Sequence, residues 1–140
     1  MSEDPHVATI RKYYDGCNRS DIELMLSTFT PGITHYFVNG PPIHGAAELA
    51  AYWKQFQTAS RTTTWTVDHA IVQGDEAVIE WTMISTFKDE RPKRILRGAE
   101  WYVFRDDKIA EIRAYYHQVV LDERELEGFP YAERGYPMLP

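Results

Sequence analysis

The chain has one cysteine, Cys17, among 140 residues, which excludes an intramolecular disulfide and leaves the fold to packing. It contains no apolar run of the length a membrane helix needs, and Met1–His6 is acidic and polar, without the basic-then-apolar start of a secretory signal. Cytoplasm is therefore the expected location, and no membrane partner is expected. Positive charge is also scarce. Fifteen Lys and Arg stand against 21 Asp and Glu, a formal charge of −6, and general nucleic-acid binding draws its affinity from cations on phosphates. The single basic cluster, Arg91, Lys93, Arg94 and Arg97, surrounds a proposed hairpin turn and reads as a solvated edge. There is no internal repeat and no low-complexity segment.

What is present suits one globular domain with a sizeable core: 44% hydrophobic residues, 14% of all residues aromatic, and 26% charged. Asp4-Pro5 is a helix start, after which Val7, Ile10, Tyr14 and Cys17 recur at helical spacing with Tyr13 on the flank, predicting a helix to about Gly16. Ser20 with Glu23 forms a capping-box pattern ahead of Ile22, Met25, Leu26 and Phe29, and Pro31-Gly32 ends that helix. Ile33–Val38 reads as a short strand closed by the turn formers Asn39-Gly40-Pro41-Pro42. Ala46, Leu49, Ala50, Trp53 and Phe56 line a third helix that Gly45 opens.

The period then shifts toward two. Thr62–Val72, Ala77–Phe87, Arg94–Phe104 and Ile109–Val120 are rich in β-branched and aromatic residues and are parted by polar turns, predicting an antiparallel meander. The fold class expected is α+β: a cone-like, curved, mostly antiparallel sheet with three helices from the N-terminal half enclosing a pocket. Residues 1–120 form the domain. Residues 121–140 are an aromatic, proline-rich tail, with a helical turn over 122–127 and an extended end that either docks or is partly disordered.

Three segments carry a family resemblance: Tyr13–Phe29 with its Asn18-Arg-Ser-Asp21 turn, the loop Gly40-Pro-Pro-Ile-His-Gly45, and Lys108-Ile-Ala-Glu-Ile-Arg-Ala-Tyr-Tyr116. In this order they resemble the NTF2-like superfamily, in its SnoaL-like and ketosteroid-isomerase-like branch. The resemblance implies a cone around a largely apolar pocket, commonly in a homodimer packed through the sheets. It does not select a reaction, because the fold hosts isomerases, dehydratases, cyclases, epoxide hydrolases and binders. In ketosteroid isomerases a tyrosine and a protonated acid form the oxyanion hole; these correspond to Tyr13 and Glu100, while the isomerase's aspartate base corresponds to Phe37. In scytalone dehydratases a histidine transfers the proton, at the place of His69. The limonene-epoxide-hydrolase pattern is not met, since its last-strand aspartate corresponds to Ala114.

The residue types agree with that chemistry. Proton removal beside a carbonyl needs a base and a donor for the growing negative charge on oxygen. Histidine suits the first role, and tyrosine or a buried neutral acid the second. His69 is the expected principal acid/base, His35 an auxiliary or alternative base on the same face as Phe37, and Tyr13 and Glu100 the oxygen-stabilising donors. Glu100 has a structural alternative, an ion pair with Arg97 or Arg113 at a dimer surface. Phe37, Trp53, Trp65, Trp81, Tyr116 and Cys17 are the expected substrate-binding wall, with aromatic core as the alternative for each ring. A metal would draw on His35, His69, His117 and Glu100, which lack a short local ligand spacing; no metal or other cofactor is expected. The reading is a cofactor-independent lyase or isomerase acting on a small apolar cyclic or aromatic carbonyl compound. A non-catalytic small-molecule-binding protein of the same fold is the alternative. The expected partners are the small ligand and, through outward-facing Trp101, Arg113 and Tyr115, a second copy of the chain; nucleic acid is not one.

Overall fold

A computed structural model describes residues 3–38, 40–116 and 125–140. Helix α1 (Pro5–Arg19) starts where Asp4 accepts the His6 N–H at 2.8 Å and continues three residues beyond the expected Gly16. Ser20 ends it in the left-handed region, φ 53°. The cap of α2 (Ile22–Leu26) is therefore Asp21, which accepts the Leu24 N–H at 3.0 Å, and not the expected Ser20. Helix α2 is also short, because Phe29 already belongs to strand β1 (Phe29–Phe37).

Gly40-Pro41-Pro42, expected as part of a turn, belongs instead to a strand. This strand, β2 (Gly40–His44), pairs antiparallel with β1 through His35↔Ile43 and Thr34↔His44. Its two prolines are tolerated because β2 lies at the edge of the sheet, where a missing N–H breaks few ladder bonds. Gly45 (φ 97°) then opens α3 (Ala46–Lys54).

The meander forms as expected from β3 (Arg61–Gln73), β4 (Glu76–Phe87), β5 (Arg94–Arg105) and β6 (Lys108–Tyr116). The six strands make one curved, unclosed sheet in the order β2-β1-β6-β5-β4-β3, antiparallel except for β1 beside β6. Bulges in the β3–β4 and β5–β6 pairings bend it. The far edge, β3, is covered by side-chain amides acting as a surrogate strand. Asn18 accepts the Trp65 N–H at 2.7 Å and donates to the Trp65 carbonyl at 2.9 Å, and Gln57 treats Thr63 likewise. These bonds tie the end of α1 and the segment after α3 to the sheet. Ile10, Met25, Ile33, Leu49, Ile79, Ile109 and Ile112 are fully buried between the helices and the concave face.

The tail docks on the convex face. Arg97 donates to Thr82 Oγ1 at 2.8 Å, pairs with Glu125 at 3.0 Å, and lies 4.1 Å over the ring of buried Tyr131. Tyr136 donates to Glu80 at 2.6 Å. Arg97 is thus the tail's anchor, while Arg91, paired with Asp89, and Lys93 are exposed, as expected of a solvated edge. The proposed boundary at residue 120 and residues 122–124 of the expected helical turn lie outside the described residues, and 125–127 are not helical. No helix among the described residues is long and apolar enough to cross a membrane.

Candidate active-site pocket

A cavity of about 160 Å³ opens between α1, α3 and the concave face of the sheet. Strand alternation sends residues i and i+2 to the same side, which places His35 with Phe37 on β1, Trp81 with Met83 on β4, and Ala114 with Tyr116 on β6 in its lining. From the helices come Tyr13, Tyr14 and Cys17 on α1, and Tyr52 and Trp53 on α3. Trp65 on β3 and Glu100 on β5 complete the candidates that sequence reasoning placed here; Phe56 and Leu96 join them.

The polar groups are gathered at the buried end. Glu100 is 5% exposed, and its Oε1 accepts from the hydroxyls of Tyr14 at 2.5 Å and Tyr102 at 2.6 Å. Its Oε2 stands 3.6 Å from His35 Nε2. His35 is fully buried, stacked on Phe37 at 4.1 Å and edge-on to Trp53 at 5.5 Å, and neither ring nitrogen has a hydrogen-bond partner. The alternative pairing of Glu100 with Arg97 or Arg113 is not found, because Glu100 points inward while Arg97 is bound to the tail and Arg113 to Glu111.

Burial dominates the acid–base character of this end. It pushes the hydroxyls of Tyr14 and Tyr102 well above the ordinary tyrosine range, with the neighbouring Glu100 carboxylate adding to the rise. Tyr13 is raised for the same first reason, with contributions from Cys17 and then Glu100. The Cys17 thiol is pushed well up by burial and then by Glu100, which keeps it in the unreactive protonated form.

His69 is not in this pocket; its side chain is exposed on the convex face, opposite Glu80. The cause is the bulge between Val67 and His69. Thr63, Trp65 and Val67 are buried, but one extra residue reverses the alternation, so that Ala70 and Val72 pack inward instead. Sequence reasoning also missed Tyr14 and Tyr102 as partners of Glu100. Alternation along β5 was the available signal for Tyr102, two residues from Glu100; for Tyr14 the helical spacing marked only burial. Tyr52, Phe56, Met83 and Leu96 were likewise not read as pocket residues. Among the described residues no three His, Cys, Asp or Glu side chains converge as metal ligands, and His117 lies outside them.

The family of the SnoaL-like domain matches residues 10–112, and the chain belongs to it, within the NTF2-like superfamily. A protein of unknown function with a cystatin-like fold from Methylobium petroleophilum PM1 is 37% identical over 100% of this chain and 95% of its own, with a TM-score of 0.71. A proposed SnoaL-like polyketide cyclase from Jannaschia sp. CCS1 is 16% identical, covers 86% of this chain and 94% of its own, and has a TM-score of 0.70. An LEH-like epoxide hydrolase from M. tuberculosis is 13% identical over 81% and 83%, with a TM-score of 0.66. The last two likenesses are of fold. A comparison with curated proteins gives no match.

Proposed function

We propose that the cavity is the active site of a cofactor-independent lyase or isomerase that moves a proton on a small apolar cyclic or aromatic carbonyl compound. The observation that carries this reading is the His35–Glu100 pair at the buried end of an otherwise aromatic cavity. A base and a carboxylate held together away from water have little structural purpose but considerable acid–base capacity. His35 removes the proton. Glu100, held on one oxygen by two tyrosine hydroxyls, turns the other toward the imidazole and stabilises its cation. Tyr13, kept protonated by burial, supplies the hydrogen bond to the developing oxyanion. The role first assigned to His69 thus passes to His35. Family membership, with polyketide-cyclase and epoxide-hydrolase-like neighbours, supports an enzyme of the isomerase and cyclase kind.

The test is conversion of 3-cyclohexenone to 2-cyclohexenone, followed by the absorbance of the conjugated product. The reaction moves one proton from C2 to C4 through a dienolate. His35→Gln and Glu100→Gln are each expected to lower turnover at least about a hundredfold, the lower end for lost general acid–base catalysis, while affinity for a phenol stays within about tenfold. His69→Gln is expected to match the wild type. Equal turnover in His35→Gln would remove it as the base, and ligands held without chemical change would identify a binding protein.

A further inference from the structure

We infer that the site takes a compound of a single six-membered ring, with its oxygen-bearing end against His35 and Glu100, and excludes fused polycyclic compounds. This rests on the proton-transfer reading above for what happens to the ligand, but size and wall rigidity carry the class.

A cavity of about 150 Å³ lined by apolar side chains holds benzene, and this one is about 160 Å³. At the packing density of protein interiors that is room for roughly ten non-hydrogen atoms. A four-ring compound needs about twice as much.

The walls have little freedom to retreat. The Trp81 indole lies directly on Gly98, where a Cβ would come within 2.4 Å of Trp81 Cζ2 and 2.7 Å of the Tyr115 carbonyl oxygen. Glycine at that place lets the ring sink to the backbone of β5, and no further movement outward is open to it. On another wall Trp53 is wedged among His35, Phe56 and Trp65, with ring centres 5.4–5.5 Å apart. Close-packed aromatic walls of this kind resist expansion.

The polarity is directional as well. Tyr13, His35 and Glu100 are at most 5% exposed, whereas Tyr52, Phe56, Met83 and Leu96 are half-buried and stand nearer solvent. A ligand therefore enters past a rim of mostly aromatic and aliphatic side chains and meets the ionisable pair only at the far end. There the two ring nitrogens of His35, buried without partners, favour a ligand that brings an oxygen to them. A compact ring with one leading oxygen satisfies both demands.

Isothermal titration of the full chain with 4-ethylphenol and with estradiol tests this, because both present a phenolic oxygen but differ in ring count. The expected result is that 4-ethylphenol binds at least tenfold more tightly, against the usual rise of affinity with apolar size. Trp81→Ala, which widens the cavity, is expected to shift the ratio of the two affinities at least tenfold toward estradiol; Met83→Ala serves if that variant does not fold. Estradiol binding the wild type as tightly as 4-ethylphenol, or 4-ethylphenol failing to bind, would overturn the inference. Selective binding of 4-ethylphenol without conversion of 3-cyclohexenone would leave the size class standing and remove the proton-transfer reading. Conversion of a four-ring β,γ-enone would do the reverse.

Discussion

His35 and Glu100 meet across a strand that lies between their own: β6 separates β1 from β5, and the side chain that β6 presents beside Glu100 is the methyl group of Ala114. A larger residue there would crowd the Glu100 carboxylate, because Ile112 already occupies the place on β6 level with His35.

Ala114→Leu is therefore expected to damage the site more than the fold. Overpacking a close-packed position costs about 1–3 kcal/mol, which thermal unfolding would register. Turnover of 3-cyclohexenone should fall at least as far as in Glu100→Gln, since the His35–Glu100 approach is lost. A variant with lowered stability but unchanged turnover would show that the pair does not act together.

Alkaline pH should unfold the protein steeply. Tyr13, Tyr14 and Tyr102 have hydroxyls raised by burial, so above pH 10 the unfolded chain releases protons that the folded chain keeps. The unfolded state then binds fewer protons, and stability falls as pH rises, by about 1.4 kcal/mol per pH unit for each such tyrosine. Below pH 10 this contribution is fully present. Urea titrations from pH 9 to 12 should show the slope, to which the raised Cys17 thiol also contributes, and above pH 10 it should be shallower in Tyr14→Phe by about 1.4 kcal/mol per pH unit; an unchanged slope would mean that Tyr14 titrates freely in the fold.

The tail should come away when its anchor is removed. Arg97→Ala deletes the ion pair to Glu125, the bond to Thr82 and the stacking on Tyr131, at a cost of about 1–3 kcal/mol for an interaction network of this kind. Limited trypsin digestion, read by mass spectrometry, should then cut after Arg134 much faster than in the wild type. Equal cleavage rates would mean that the tail is held elsewhere.

The convex face offers a surface for a second copy. Ile71, Val78, Trp101, Arg113 and Tyr36 form one cross-strand row over five strands, with Ile71 58% and Trp101 38% exposed. Arg113 lies 5.4 Å over the Trp101 ring. Docking along this row, beside the tail, is expected to give a homodimer at micromolar concentration, and Trp101→Glu, which removes the largest apolar side chain of the row, is expected to give a monomer. Sedimentation of the two proteins decides it; a monomeric wild type would remove the expectation.

The sequence by itself determined the α+β class, the order of helices and long strands, and that Glu100, Ala114 and Tyr116 face opposite to Trp101, Arg113 and Tyr115. These follow from periods of 3.6 and 2, which are local properties of a chain. That Glu100, Ala114 and Tyr116 are the inward set was decided by the structure. Only the tertiary structure decided that Gly40–His44 pairs as an edge strand, that the tail lies on the convex face, and that Tyr14 and Tyr102 hold Glu100. It also decided that His69 faces out. The bulge beside Val67 is a feature of the β3–β4 pairing, and pairing with a partner strand leaves no mark in the alternation of β3 alone. A one-residue insertion in that ladder exchanges the two faces of everything beyond it, which is why the histidine on β3 lies outside the cavity that the histidine on β1 lines.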